Sequence, residues 1–159
     1  MGTKIAEVMT QRPRAVTAQT TVREAARLME EEDVGSLPVV DKGDRLIGIF
    51  TDRDVAVRVV GRGLDADKTV VGDVASRDLV VLTPDHDLDD ALKVMAREQV
   101  RRMPIVVREN QLVGMLAQAD IAHATKEKTA GEVVEAISRS PGGPRVASPD
   151  AGGGPEERR

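Results

Sequence analysis

With 159 residues, no cysteine and two histidines, the chain is sized for one compact domain and a tail and is poor in the groups that thiol or metal chemistry needs. A net charge of -4 and a single aromatic residue, Phe50, argue against a nucleic-acid partner: the charge offers no general attraction for phosphate backbones, and any bound base must lie between aliphatic side chains. No apolar run approaches the roughly 18 residues of a membrane span, and MGTKIAEVMTQRPR lacks the apolar core of a secretory signal, so the expectation is a cytoplasmic protein with no membrane contact.

In chain order, an extended segment is predicted over Arg14 to Thr17. Thr21-Val-Arg-Glu24 has the spacing of a capping box and opens a helix whose apolar residues Val22, Ala25, Ala26 and Met29 recur on one face. LPVVD, from Leu37 to Asp41, reads as a buried strand with its proline near the start. The turn Asp41-Lys-Gly-Asp44 leads into LIGIF, which makes a hairpin. A second helix begins near Asp52 and carries Val55, Ala56, Val59 and Val60, and Gly61 to Asp67 is a connection.

The same elements then recur. Sliding Val8–Val55 onto Val74–Ile121, an offset of 66 residues, aligns the two stretches without a gap. Ala25, Met29, Glu32, Val34, Pro38, Val40, Leu46, Gly48 and Asp54 fall on identical residues. The second copy has an extended LVVLT over Leu79 to Thr83, a helix opened by Asp87-Leu-Asp-Asp90 with Leu88, Ala91, Leu92 and Met95 on one face, and the strand MPIVV. The turn Arg108-Glu-Asn-Gln111, LVGML and a helix near Gln118 carrying Ile121, Ala122 and Ala124 complete it. The fold class is therefore α+β, β-α-β-β-α twice. Copies too small to bury their own apolar faces are expected to share a core, with a site between them. The boundaries are 1–66 for the first repeat and 67–126 for the second. A short helix over 127–139, centred on Thr129 to Ser138, and a disordered Gly/Pro-rich tail over 140–159 follow.

Gly48-Ile-Phe-Thr-Asp-Arg-Asp54 sets a threonine and an aspartate three apart where a strand passes into a helix. Helix capping alone accounts for that spacing. The second copy, Gly114-Met-Leu-Ala-Gln-Ala-Asp120, has lost the hydroxyl and kept the aspartate, which a simple capping pair does not require. Such a carboxylate can accept bonds from vicinal ribose hydroxyls, while helix N-terminal amides can hold a phosphate. Met29, Met95, Met103 and Met115 read as core fillers, His86 and His123 as surface or capping residues, and Arg58 and Arg62 as surface arginines.

On the duplicated order, the LPVVD and MPIVV strands and the Gly-x-x-Thr-x-x-Asp segment, the chain from Ile5 to about Thr125 resembles tandem CBS domains, also called Bateman modules. GIFTDRDVAVRVVGRGLDADKTVVGDV is similar to stand-alone bacterial two-CBS proteins of the hypoxic-response type. The resemblance implies two intertwined repeats related by a pseudo-two-fold axis, clefts between them for AMP, ADP, ATP or S-adenosylmethionine, no required cofactor, and a homodimer. Carried over by position, Asp54 holds ribose in a first cleft, with Thr51 and Arg53 near ribose or phosphate and the base against Arg77 to Val80 and Val100. In the second cleft Asp120 holds ribose, Met9 to Arg14 with Val34 and Gly35 frame the base, and Arg101 and Arg102 face phosphate. The first cleft has Gly35 and Ser36 where the second has those arginines; the second has Ala117 where the first has Thr51. The dimer is expected through second-helix residues Val55, Ala56, Val59, Ile121 and Ala122. The function so implied is a non-catalytic sensor. A scaffold with vestigial clefts and, less favoured, a nucleotide-processing enzyme are the alternatives, the latter wanting a nucleophile, a base and a metal cluster that the sequence does not supply.

Overall fold

The computed structural model describes residues 2–124; the expected helix over 127–139 and the tail lie outside the described residues. The helix α1 (Val22–Glu32) starts at Thr21, whose side chain accepts from the Glu24 N–H while Glu24 bonds back to the Thr21 N–H, the predicted capping box. Strands β2 (Ser36–Val40) and β3 (Leu46–Thr51) form the first hairpin and run into α2 (Asp52–Asp54), which continues as a π-helical turn over Val55–Val60. In the second repeat α4 (Leu88–Glu98), β4 (Arg102–Val107), β5 (Gln111–Ala117) and α5 (Gln118–Ala124) repeat the order.

Two short segments outside those units lock the repeats together. The N-terminal segment makes a 3₁₀ turn at Ile5–Glu7 and a strand β1 (Thr10–Gln11), and β1 pairs with β5 of the other repeat, Thr10 opposite Met115 and Gln11 opposite Gly114. The equivalent segment between the repeats forms α3 (Val71–Val74), and Ser76 pairs with Ile49 of β3 through two bonds of 2.9 Å. The sheets are therefore β1-β5-β4 and β2-β3, the latter extended by the Ser76 bridge. Ile5 lies at the centre of the second repeat's core with Met95, Met103, Ile105 and Leu116. Val71 and Val74 lie in the first repeat's core with Val22, Leu37 and Phe50.

This exchange explains the repeated glycine. A β-carbon on Gly48 would stand 3.0 Å from the Ser76 carbonyl oxygen; one on Gly114 would stand 3.0 Å from that of Thr10 and 2.5 Å from Met9 Sδ. It also explains the prolines, since Ile49 gives both its N–H and C=O to Ser76 and so asks no ladder bond of Pro38 opposite it.

Five sequence expectations change. The repeats do not share one core: each has its own cluster, completed by the segment the other contributes. The segments Arg14–Thr17 and Leu79–Thr83 are not full strands: each touches its hairpin at one parallel bridge, Val16 to Val39 and Leu82 to Ile105, beside a register shift that ends regular pairing. The second helix of the first repeat is π-helical rather than α-helical, with the Gly61 N–H reaching back to the Ala56 carbonyl. Asp87 occupies the N-cap of α4 but makes no side-chain cap bond; its carboxylate meets Lys4 Nζ at 2.8 Å instead. Val59 and Ile121 are not dimer-face residues, because both are 1% exposed and packed in the cores, whereas Ala56 and Ala122 are exposed and Val55 is half-buried.

Candidate functional site

Each β3-like strand ends where the other repeat's segment has just joined it, so the two expected clefts have equivalent backbone frames. In the first, Ser76 and Arg77 arrive beside Gly48 and Ile49, immediately upstream of Thr51 and the α2 N-terminus. In the second, Met9 to Gln11 arrive beside Gly114 and Met115, upstream of Ala117 and the α5 N-terminus.

Asp54 is the one buried charged residue among the described residues, 8% exposed. Its Oδ2 accepts the Thr51 N–H at 2.9 Å, and its own N–H donates to Thr51 Oγ1 at 3.1 Å, so the capping reading holds for this pair. Asp120 Oδ2 accepts the Ala117 N–H at the same 2.9 Å. Aspartate thus keeps half of the capping box even where the threonine is gone, and capping suffices to explain why it stands in both copies. The second oxygens of the two carboxylates have different surroundings. Asp54 Oδ1 lies 3.7 Å from Arg58 Nε, and Asp120 Oδ1 has no protein partner among the described residues.

The remaining expected residues divide into walls and cations. Val80 and Val100 are half-buried against the second core together with Met9, and Val34 is half-buried against the first. The Gly35 carbonyl accepts the Asp52 N–H at 2.9 Å, and the Arg101 carbonyl accepts the Gln118 N–H at 2.8 Å, so positions 35 and 101 sit against the helix N-termini of their own repeats. Arg53, Arg77, Arg101 and Arg102 are exposed and form no ion pair among the described residues. Arg14 is drawn away to Glu32, at 3.4 Å.

Sequence reasoning missed Arg58. Its Nη1 donates to the Val74 carbonyl at 3.0 Å while its Nε faces Asp54, so one guanidinium ties the capping carboxylate of one repeat to the exchanged helix of the other. The spacing Asp54 to Arg58, one helical turn, was the available signal.

The descriptions of known proteins fit this geometry. A family model for the CBS domain matches residues 5–61 and 71–127. The chain is similar to CBS domain-containing protein YhcV of Bacillus subtilis, 40% identical over 135 residues, covering 84% of this chain and 94% of that protein. It is similar to hypoxic response protein 1 of Mycobacterium tuberculosis, 37% identical over 117 residues, 74% of this chain and 81% of that one. Among solved structures it superposes on Hypoxic Response Protein I with two coordinated zinc ions at a TM-score of 0.71, 33% identical, covering 78% of this chain and 100% of that one. It also superposes on CBSX2 in complex with AMP at 0.69, 26% identical, covering 77% and 96%. The chain has no cysteine, and among the described residues no three His, Asp or Glu side chains gather in one place. No helix among the described residues is long and apolar enough to cross a membrane.

Proposed function

Because the chain belongs to the CBS domain family, we propose that it is a non-catalytic regulatory protein that binds adenine-containing ligands in the two clefts framed by the exchanged segments. The observation that carries this reading is the pairing of Ser76 with Ile49 and of Thr10 with Met115, which sets the start of one repeat beside the capping aspartate of the other, twice. Asp54 Oδ1 and Asp120 Oδ1 accept ribose hydroxyls, Val80, Val100, Met9 and Val34 supply aliphatic walls for the base, and helix N-terminal amides with Thr51 and Arg53, or with Arg101 and Arg102, meet the 5′ group. The AMP held by CBSX2 supports the ligand class. The test is calorimetry with AMP, ADP, ATP, adenosine and S-adenosylmethionine. Asp54→Ala and Asp120→Ala should each remove one cleft's binding while the protein stays folded. Arg101→Ala with Arg102→Ala should weaken AMP by more than tenfold and adenosine little, since each charge-assisted contact contributes about 1.5–3 kcal/mol. Wild-type affinity in both aspartate variants would refute the assignment.

The homodimer belongs to the same proposal, with its face redrawn. A groove of about 460 Å³ between α1 and the π-turn is lined by Ala26, Met29, Val34, Val55, Ala56 and Val60, with the carboxylates of Glu30 and Asp52 at its edge. Val60 is 71% exposed and Val57 51%. A second copy presenting the same surface is the self-complementary occupant that a closed two-fold contact requires. Light scattering should report twice the chain mass, and Val60→Asp should halve it.

A further inference from the structure

The two clefts share a backbone and differ in charge at one end, and the difference is larger than the loss of two arginines. Where the second repeat has Arg101, Arg102 and Gln118, the first has Gly35, Ser36 and Asp52. Asp52 is not a bystander at that end. Its Oδ2 lies 2.8 Å from where a β-carbon on Gly35 would stand, so a carboxylate fills the space from which an arginine side chain would start. Among the described residues Asp52 forms no ion pair, its side chain receiving only the N–H of Arg53 at 2.8 Å. Ser36, matched to Arg102, keeps a buried hydroxyl oxygen with no hydrogen-bond partner.

Counting the residues that flank each 5′ position, Asp52 and Asp54 against Arg53 and Arg58, which faces Asp54, leave the first cleft without net charge. Arg101 and Arg102 against Asp120 leave the second with one positive charge. With Arg58 engaged by Asp54 and the Val74 carbonyl, Asp52 is the carboxylate at that end without an ion pair among the described residues.

Resting on the adenine-ligand reading above, we propose that the clefts are specific for different 5′ chemistry: the second takes a phosphorylated adenosine, and the first an adenosyl compound whose 5′ substituent carries no negative charge, a free hydroxyl, a thioether or a sulfonium. A phosphate in the first cleft meets a carboxylate at Asp52 and finds no guanidinium at positions 35 and 36. A neutral 5′ group meets no such repulsion. Asp52 is in this sense a specificity-determining residue.

The experiment isolates each cleft in the full-length chain with the aspartate variants and titrates AMP, adenosine and 5′-methylthioadenosine by calorimetry. In Asp120→Ala, where the first cleft alone is intact, 5′-methylthioadenosine and adenosine should bind and AMP should bind about tenfold more weakly, the effect of one like charge a few ångströms away at an effective dielectric of about 40. Adding Asp52→Asn should recover that factor for AMP and leave adenosine unchanged. In Asp54→Ala the order should reverse, AMP binding more tightly than adenosine. An independent arm uses the otherwise wild-type protein carrying Gly35→Arg, Ser36→Arg and Asp52→Gln together, residues the second repeat already accommodates on the same backbone. AMP stoichiometry should rise from one to two per chain. Equal affinity of AMP and adenosine in Asp120→Ala, unmoved by Asp52→Asn, overturns the proposal while leaving the adenine reading in place. Absence of binding by all three compounds to the wild-type chain overturns both.

Discussion

The two repeats make the same bonds with different side chains, and the difference separates what the fold requires from what a ligand would require. Residues at the exchange are alike in both: Gly48 and Gly114 admit the other repeat's backbone, and Asp54 and Asp120 each cap a helix through a 2.9 Å bond. Residues at the 5′ end are unlike: Gly35, Ser36 and Asp52 against Arg101, Arg102 and Gln118. The buried pairs Leu37 and Met103, Val39 and Ile105, and Phe50 and Leu116 exchange one apolar side chain for another, whereas these three positions exchange charge. Likeness at the exchange therefore reports folding, and the change of charge is what the proposed selectivity rests on.

The strongest way to test the shared part is to crowd the exchange. Gly48→Val should destabilise by about 2–3 kcal/mol, because the new side chain starts 3.0 Å from a backbone carbonyl that cannot retreat without breaking its pairing. Gly114→Val should cost a similar amount although it lies 66 residues away. Urea unfolding gives both values, and a large disparity would mean that only one exchange matters to the fold. Next in size is the asymmetry at Arg58, whose counterpart is Ala124. Arg58→Ala should lower stability by about 1 kcal/mol through loss of the bond to the Val74 carbonyl. Chemical denaturation measures it, and Arg58→Lys should recover only part.

A smaller effect lies at the helix C-termini, where Asp33 and Gln99 occupy matched left-handed positions at φ 52 and φ 60. Gln99→Gly should stabilise by about 0.5–1 kcal/mol. Asp33→Gly should gain less, because aspartate tolerates this conformation better than glutamine. Melting temperatures decide the order. Smallest are two exposed carboxylates held below their ordinary range, Asp67 by the Arg23 guanidinium and Asp85 by the Thr83 hydroxyl. A lowered folded-state value adds stability that is present above the ordinary carboxylate range and lost as pH falls through the lowered value, so both act only on the acid limb, below about pH 4. Salt distinguishes them: on the order of 0.5 M NaCl should erase the effect of Asp67→Asn, an ion pair, and spare that of Asp85→Asn.

Much of this was legible in the sequence because it is local. The Thr21 capping box, the hairpin strands around Pro38 and Pro104 and the Thr51–Asp54 pair are each written within a few residues, and the offset of 66 repeats the hairpins and the aspartate. The exchange is implied by the family resemblance but is not legible in local pattern. Thr10 meets Met115 across most of the chain, and a two-residue strand has no periodicity to read. Asp87 was read as a capping side chain because its partner, Lys4, is equally remote. Val59 and Ile121 were read as surface because the cores receive whole helices that local pattern does not count, and once Val71 and Ile5 arrive these residues pack with them. Arg58 looked like any helix-surface arginine until Val74 was placed beside it.

Because Ile5 completes a core that otherwise belongs to residues beyond 80, injury at the N-terminus travels to the far end of the chain. Removing the first dozen residues would leave the first repeat's own core cluster whole while unseating the second's. A fusion or cleavage there acts on the cleft that carries Asp120, not on the repeat whose sequence it adjoins. The halves are clasped by these exchanged segments, so opening one from the other means breaking the Thr10–Met115 or the Ser76–Ile49 pairing.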